Sequence, residues 1–133
     1  MTNQDLIKLA VDARKLSYSP YSNFKVGAAL LCKDGKVFVG SNVENSSYPF
    51  WMCAERNALY NAMMNGYKKE EFLALAIAAD TDEACSPCGA CRQVISELFP
   101  REGAIILANL KGDEKLTNID DLLPLAFSGE DLK

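Results

Sequence analysis

The chain of 133 residues contains no histidine. That absence removes the side chain whose charge changes nearest neutral pH, so acid–base work must fall to another group. It also removes the commonest nitrogen ligand for a metal. An excess of basic charge is likewise missing: 14 Lys and Arg are interspersed with 18 Asp and Glu, for a formal net charge of −4. Such a surface offers no basic stripe to a polyphosphate backbone, so no nucleic acid is expected as a partner and a small or neutral ligand is favoured. No apolar run approaches the length of a membrane span, and no membrane partner is expected. The opening "MTNQDLIKLAVDARK" has no signal-peptide core, so the expectation is a soluble, cytoplasmic chain. Internal repeats, low-complexity tracts and linkers are absent too. With 49% apolar and 24% charged residues the composition is globular, and the length suffices for one core, so a single domain over 1–133 is expected.

What is present in an informative number is cysteine. The five are Cys32, Cys53, Cys85, Cys88 and Cys91, an odd count that argues for thiols or metal ligands rather than a disulfide framework. Cys32 sits in an apolar stretch and reads as a small buried hydrophobe.

Local patterns give the order of elements. Leu6, Leu9, Ala10, Ala13 and Leu16 recur at helical spacing, with Thr2 or Asn3 to cap the start. "YSPYSNF" breaks that helix at Pro20, and "KVGAALLCKDGKVFVGSNVEN" reads as a hairpin turning at Asp34-Gly35. A helix from about 54 to 65 ends at Gly66, and "FLALAIAAD" at 72–80 is a strand suited to burial on both faces. Pro87 precedes a helix over roughly 89–98, "GAIILANL" supplies a strand and "KLTN" a short further one. "NIDDLLPLAF" is a short closing helix broken by Pro124. Strands alternating with helices predict an α/β fold, a mixed sheet of five strands with helices packed on both faces. Both cysteine motifs fall at helix starts next to buried strands, where ligand sites of α/β sheets gather.

In "SPCGACRQ", Cys88 and Cys91 have redox spacing as well as the spacing of half a zinc site, and an inert pair is a third reading. "CAERNA" shifts the balance. It puts Cys53 at a second helix N-terminus, where the dipole and free N–H groups favour thiolate, with Glu55 too close in sequence to share a tetrahedral site with it. Three thiolates and an open position describe a catalytic zinc, whereas Cys85 as a fourth ligand would make a closed structural one.

These motifs carry a resemblance. "NVEN" at 42–45, "CAERNA" at 53–58, "SPCGACRQV" at 86–94 and "LLPLAF" at 122–127 are similar to those of the homotetrameric cytidine deaminases. The likeness runs along essentially the whole chain, and it carries the three-layer fold of that family. The common zinc-deaminase layout has a histidine, two cysteines in Pro-Cys-X-X-Cys and a Glu that is not a ligand; here Cys53 would stand where the histidine does. The resemblance implies hydrolytic deamination of cytidine and deoxycytidine to uridine and deoxyuridine, with one zinc per subunit on Cys53, Cys88 and Cys91. Glu55 would move the protons. Asn42 and Glu44 would bind the sugar hydroxyls, Phe24 would pack on the pyrimidine, and the Ala54 N–H and Ser86 carbonyl would read the base edge. Phe127 and Tyr48 would reach a neighbouring subunit's pocket in a homotetramer. Bulky Phe50-Trp51-Met52 ahead of Cys53 is a departure from the family pattern.

Charge adds two further candidates. Three thiolates and one zinc leave a net −1, which makes a poorer Lewis acid than a neutral centre. Arg56, beside Glu55, and Arg92, beside Cys91, are the cations placed to offset it by donating to sulfur.

Overall fold

The computed structural model describes residues 1–132. Its elements are α1 (Asn3–Ala13), β1 (Val26–Cys32), β2 (Val37–Ser41), α2 (Ala54–Met64), β3 (Phe72–Ala79), α3 (Gly89–Leu98), β4 (Ala104–Asn109), β5 (Glu114–Thr117) and α4 (Ile119–Leu122), with short 3-10 turns between. Thr2 caps α1 in a reciprocal box with Asp5. The closing helix is a single turn, broken at Pro124 as its sequence suggests; Leu123 leaves helical geometry ahead of Pro124, and Leu125 follows with φ 55°.

The five strands form one mixed sheet in the order β2-β1-β3-β4-β5, with β3 and β4 parallel and the other pairs antiparallel. Strand β3 lies at the centre, which explains its unbroken apolar sequence. Its two faces differ in size. Ala74, Ala76 and Ala78 pack with Leu6 and Ala10 of α1, whereas Leu75 and Ile77 join the core beneath α2 and α3. The small residues let α1 lie close on one face, and the larger ones fill the deeper space on the other. Helices on both faces make three layers.

Two glycines mark where helix and sheet approach most closely. A Cβ on Gly27 would lie 1.8 Å from the Ala10 carbonyl oxygen of α1, and one on Gly40 would lie 2.5 Å from the Ala54 oxygen and the Ala58 nitrogen of α2. Register then gathers the site. Val26 at the start of β1 pairs with Ala79 at the end of β3, and Gly27 pairs with Ser41 at the end of β2. The loops carrying Asn42–Cys53 and Cys85–Cys88 therefore leave the same end of the sheet, and each feeds the N-terminus of a helix.

Candidate metal centre and active site

Cys53 is the N-cap of α2, Cys88 is the N-cap of α3, and Cys91 lies in the first turn of α3. The two helix starts point their free N–H groups at one spot, and the Cys91 N–H donates to Cys88 Sγ at 3.4 Å. The three sulfurs lie within 4.8 Å of one another. Cys53 to Cys88 is 3.8 Å and Cys88 to Cys91 is 3.2 Å. Tetrahedral zinc with Zn–S near 2.3 Å separates its sulfurs by about 3.8 Å, so the donor set and its spacing fit zinc. Among the described residues these three make the only such group, and Cys85 is outside it. The closed four-cysteine site therefore fails on geometry. Cys85 is a buried wall residue whose thiol is pushed up to about 11 by burial and then by the charge of Glu55.

Around this cluster the charges are unequal. Cys53 is held down at about 5, first by a hydrogen bond from Cys91 and then, against its own burial, by the Arg56 guanidinium; Cys91 is displaced upward as the proton-holding partner. Arg56 Nη2 lies 3.4 Å from Cys53 Sγ and 3.4 Å from the Trp51 carbonyl, and its Nε is buried without a hydrogen-bond partner. An orphaned cationic donor beside thiolate sulfur is the counter-charge that an anionic metal centre calls for. Arg92 is a correction to the sequence reading. Its guanidinium donates to the Pro87 carbonyl at 3.0 Å, the Leu122 carbonyl at 2.7 Å and the Ser86 hydroxyl at 2.7 Å. It braces the Ser86–Cys88 loop against α4 and is spent on oxygen, because its position after Cys91 turns it towards α4.

Glu55, in the first turn of α2, is 4% exposed, and burial followed by the charge of Cys53 raises its carboxyl above the usual range. It borders a cavity of about 250 Å³ that also reaches Cys53 and Cys88. Phe24, Asn42, Glu44, Ala54 and Ser86 all line the same cavity. Tyr48 and Phe127 do not: they are 70% and 58% exposed, and Phe127 borders a separate groove near α4.

Asn42 and Glu44 lie just beyond β2, where Val43 bridges both Tyr18 and Met52. Alternation about Val43 sends both polar side chains to the cavity while Val43 stays 44% exposed. Both are fixed by residues that sequence reasoning did not single out. Asn42 Oδ1 accepts from the Ser17 hydroxyl at 2.6 Å and the Val26 N–H at 2.9 Å, and its Nδ2 donates to the Phe24 carbonyl at 2.8 Å. Glu44 accepts from the Tyr21 and Ser22 N–H groups at 3.1 Å each and from the Ser22 hydroxyl. Burial pushes this carboxyl up, but the Ser22 and Tyr21 donors outweigh it and hold it below the ordinary carboxylate range. One Asn42 N–H and one Glu44 lone pair remain for a ligand. The signal for these supports was the serine-rich "LSYSPYSN" loop, where short hydroxyl side chains bond nearby polar groups. Trp51 and Met52 also stand in the cavity wall. Among the described residues no cationic side chain lines it, whereas the Glu44 and Glu55 carboxyls do.

Comparisons with known proteins point the same way. Residues 1–107 match the model of the cytidine and deoxycytidylate deaminase zinc-binding region. The cytidine deaminase of Halalkalibacterium halodurans is 49% identical over 132 residues, covering 99% of this chain and 98% of that one. The crystal structure of cytidine deaminase from Burkholderia pseudomallei superposes with a TM-score of 0.94 at 52% identity, covering 96% of this chain and 100% of that one. That of Mycobacterium tuberculosis gives a TM-score of 0.78 at 36% identity, over 96% and 98% of the two chains.

Proposed function

The chain belongs to the cytidine and deoxycytidylate deaminase family, and from that premise we propose that it hydrolyses cytidine and deoxycytidine to uridine and deoxyuridine, releasing ammonia. The observation that carries the reading is the buried Glu55 beside three converging thiols, lining a cavity that no cationic side chain among the described residues borders. A neutral nucleoside suits that lining and a nucleotide phosphate does not.

Cys53, Cys88 and Cys91 would hold the zinc. When bound, the zinc supplies the acidity that lets water act as a nucleophile near neutral pH. Glu55 takes one proton of the attacking water and delivers it to N3 of the cytosine ring, then takes the second from the hydroxyl formed at C4 and passes it to the amine, which leaves as ammonia. One carboxylate serves as base and then acid because the roles come in sequence, and its raised pKa brings it nearer the working pH. The Ala54 N–H and the Ser86 carbonyl hold the base edge, and Phe24 covers the ring. The remaining Asn42 N–H and Glu44 lone pair take the sugar hydroxyls. An amide donor beside a carboxylate acceptor matches sugar hydroxyls, each both donor and acceptor.

The same reading includes a homotetramer in which Tyr48 and Phe127 complete a neighbour's pocket. What supports it is their exposure, together with Leu125 and Leu132 on the same C-terminal stretch, all large apolar side chains facing outward. Sedimentation of the active protein tests this part; full activity in a monomer refutes it. The chemistry is tested by following ultraviolet absorbance and ammonia release with cytidine, deoxycytidine and deoxycytidine monophosphate. The two nucleosides are expected to react and the nucleotide to be poor. Absence of ammonia from cytidine with zinc-loaded protein refutes the reading.

A further inference from the structure

Trp51 is the single tryptophan of the chain and stands in the wall of the cavity. Its ring is held from three sides. The indole N–H donates to the carbonyl of Asn45, the residue after Glu44. The Tyr21 ring stacks on it with centroids 6.4 Å apart and planes 27° apart, and the Tyr48 ring meets it edge-on at 5.0 Å and 70°. Tyr21 also donates its main-chain N–H to Glu44. The ring is thus anchored at the Asn42–Glu44 end of the cavity, although the Trp51 carbonyl turns to Arg56.

These contacts decide whether the wall can yield. Swinging the indole aside would break its hydrogen bond to Asn45 and separate two aromatic pairs. Met52, its neighbour in the same wall, has a flexible unbranched side chain that can repack around a larger ligand. The discriminating side chain is therefore the tryptophan.

We propose that Trp51 is a specificity-determining residue, a rigid wall that limits the size of the sugar admitted beside Asn42 and Glu44. The inference rests on the assignment of those two residues to the sugar in the proposed function. Enlargement of the base, at the thiol end, lies outside its reach.

Two measurements test it. Because the protein has one tryptophan, emission excited beyond the absorption of its tyrosines reports on this wall. Titration with uridine, which has the sugar but no amino group to lose, should change the emission saturably, and uracil should leave it unchanged. If uridine inhibits cytidine turnover without altering the emission, the ligand does not meet Trp51 and the proposal is overturned. In the second measurement, kcat/KM is compared for cytidine, a cytidine carrying a bulky acyl ester on the sugar, and 5-methylcytidine. Trp51→Leu should relax discrimination against the ester by about 10–200-fold, the range of a change in pocket size, and leave that against 5-methylcytidine within about twofold. Trp51→Phe, which keeps an aromatic wall, should stay near the native ratios. Unchanged ratios in a folded Trp51→Leu protein, or an equal shift for the base-enlarged substrate, overturn the proposal. If Trp51→Leu does not fold, the uridine titration of the native protein decides. A protein that deaminates none of the cytidines sinks the proposed function instead, and uridine against uracil still decides whether Trp51 meets a sugar.

Discussion

Gly40→Ala places one methyl group where β2 meets α2, and its consequences follow from the geometry. The new Cβ would lie 2.5 Å from Ala54 O, 2.5 Å from Ala58 N and 3.0 Å from Asn57 C, all main-chain atoms of the helix. Main chain cannot rotate out of the way as a side chain can, so α2 must retreat by about 0.9 Å to restore a 3.4 Å contact. Gly40 does not have positive φ, so the effect is steric and not one of backbone strain. Overpacking of this kind costs about 1–3 kcal/mol, a fall in Tm of roughly 3–12 °C for a domain of this size. The informative part is functional. The N-terminus of α2 carries Cys53 and Glu55, whereas Cys88 and Cys91 ride on α3. A shift of α2 opens the thiol cluster and moves the carboxylate against the substrate, and misplacement by about 1 Å can cost about 100-fold. We expect kcat/KM for cytidine to fall about 10–100-fold and zinc to be lost more readily to a competing chelator. Gly27→Ala is the control. Its Cβ would strike Ala10 O at 1.8 Å, on the opposite face of the sheet, and should cost more stability. The folded, zinc-loaded fraction should still turn over normally. If Gly40→Ala lowers Tm yet keeps turnover and zinc retention within about twofold of native, the coupling of this contact to the site is wrong.

Glu55→Gln should retain zinc and fold but lose turnover at or beyond the upper end of the about 10²–10⁴-fold given by acid–base groups; activity within tenfold ends the assignment. Cys85→Ser should keep zinc and most activity, whereas alanine at Cys53, Cys88 or Cys91 should abolish both, as metal analysis and assay will show. Arg56→Gln should lower activity or zinc affinity about 10–100-fold, with partial recovery on adding Cys53→His, which removes one negative charge; no change in either quantity would make Arg56 an ordinary ion-pairing residue. Glu44 has a folded pKa below its ordinary 4.5, so the stability its anion adds is complete above about pH 4.5 and lost as pH falls further. The stability gap between native protein and Glu44→Gln should therefore shrink in acid-titrated melts below that pH, and a gap that widens there refutes the hydrogen-bond account.

How much of the molecule was legible beforehand depended on the range of the forces involved. The strand at 72–79 and the helix starts at Cys53 and Cys88 were readable because composition, caps and glycine stops act within a few residues. The short closing helix and its break at Pro124 are equally local, and only the positive φ of Leu125 beyond the break has no signal in the sequence. Arg92 turns to oxygen rather than sulfur, since adjacency to Cys91 says nothing about which way a side chain leaves a helix; α4, thirty residues on, supplies one of its three acceptors. Ser17 and Ser22 were passed over for the same reason, as their partners are 25 and 22 residues away.

The sequence by itself determined the alternation of strands and helices and placed three cysteines and a glutamate at two helix starts, since these follow from residue type, short spacing and local capping. Tertiary structure alone decided that Cys85 stays outside the thiol cluster, that Arg56 rather than Arg92 faces it, and that Trp51 stands in the cavity wall with Asn42 and Glu44. Each of those is a matter of direction between elements brought together by β1–β3 register and the close packing at Gly40. A few ångströms of relative placement, set by the whole core, separate a fourth ligand from a buried thiol.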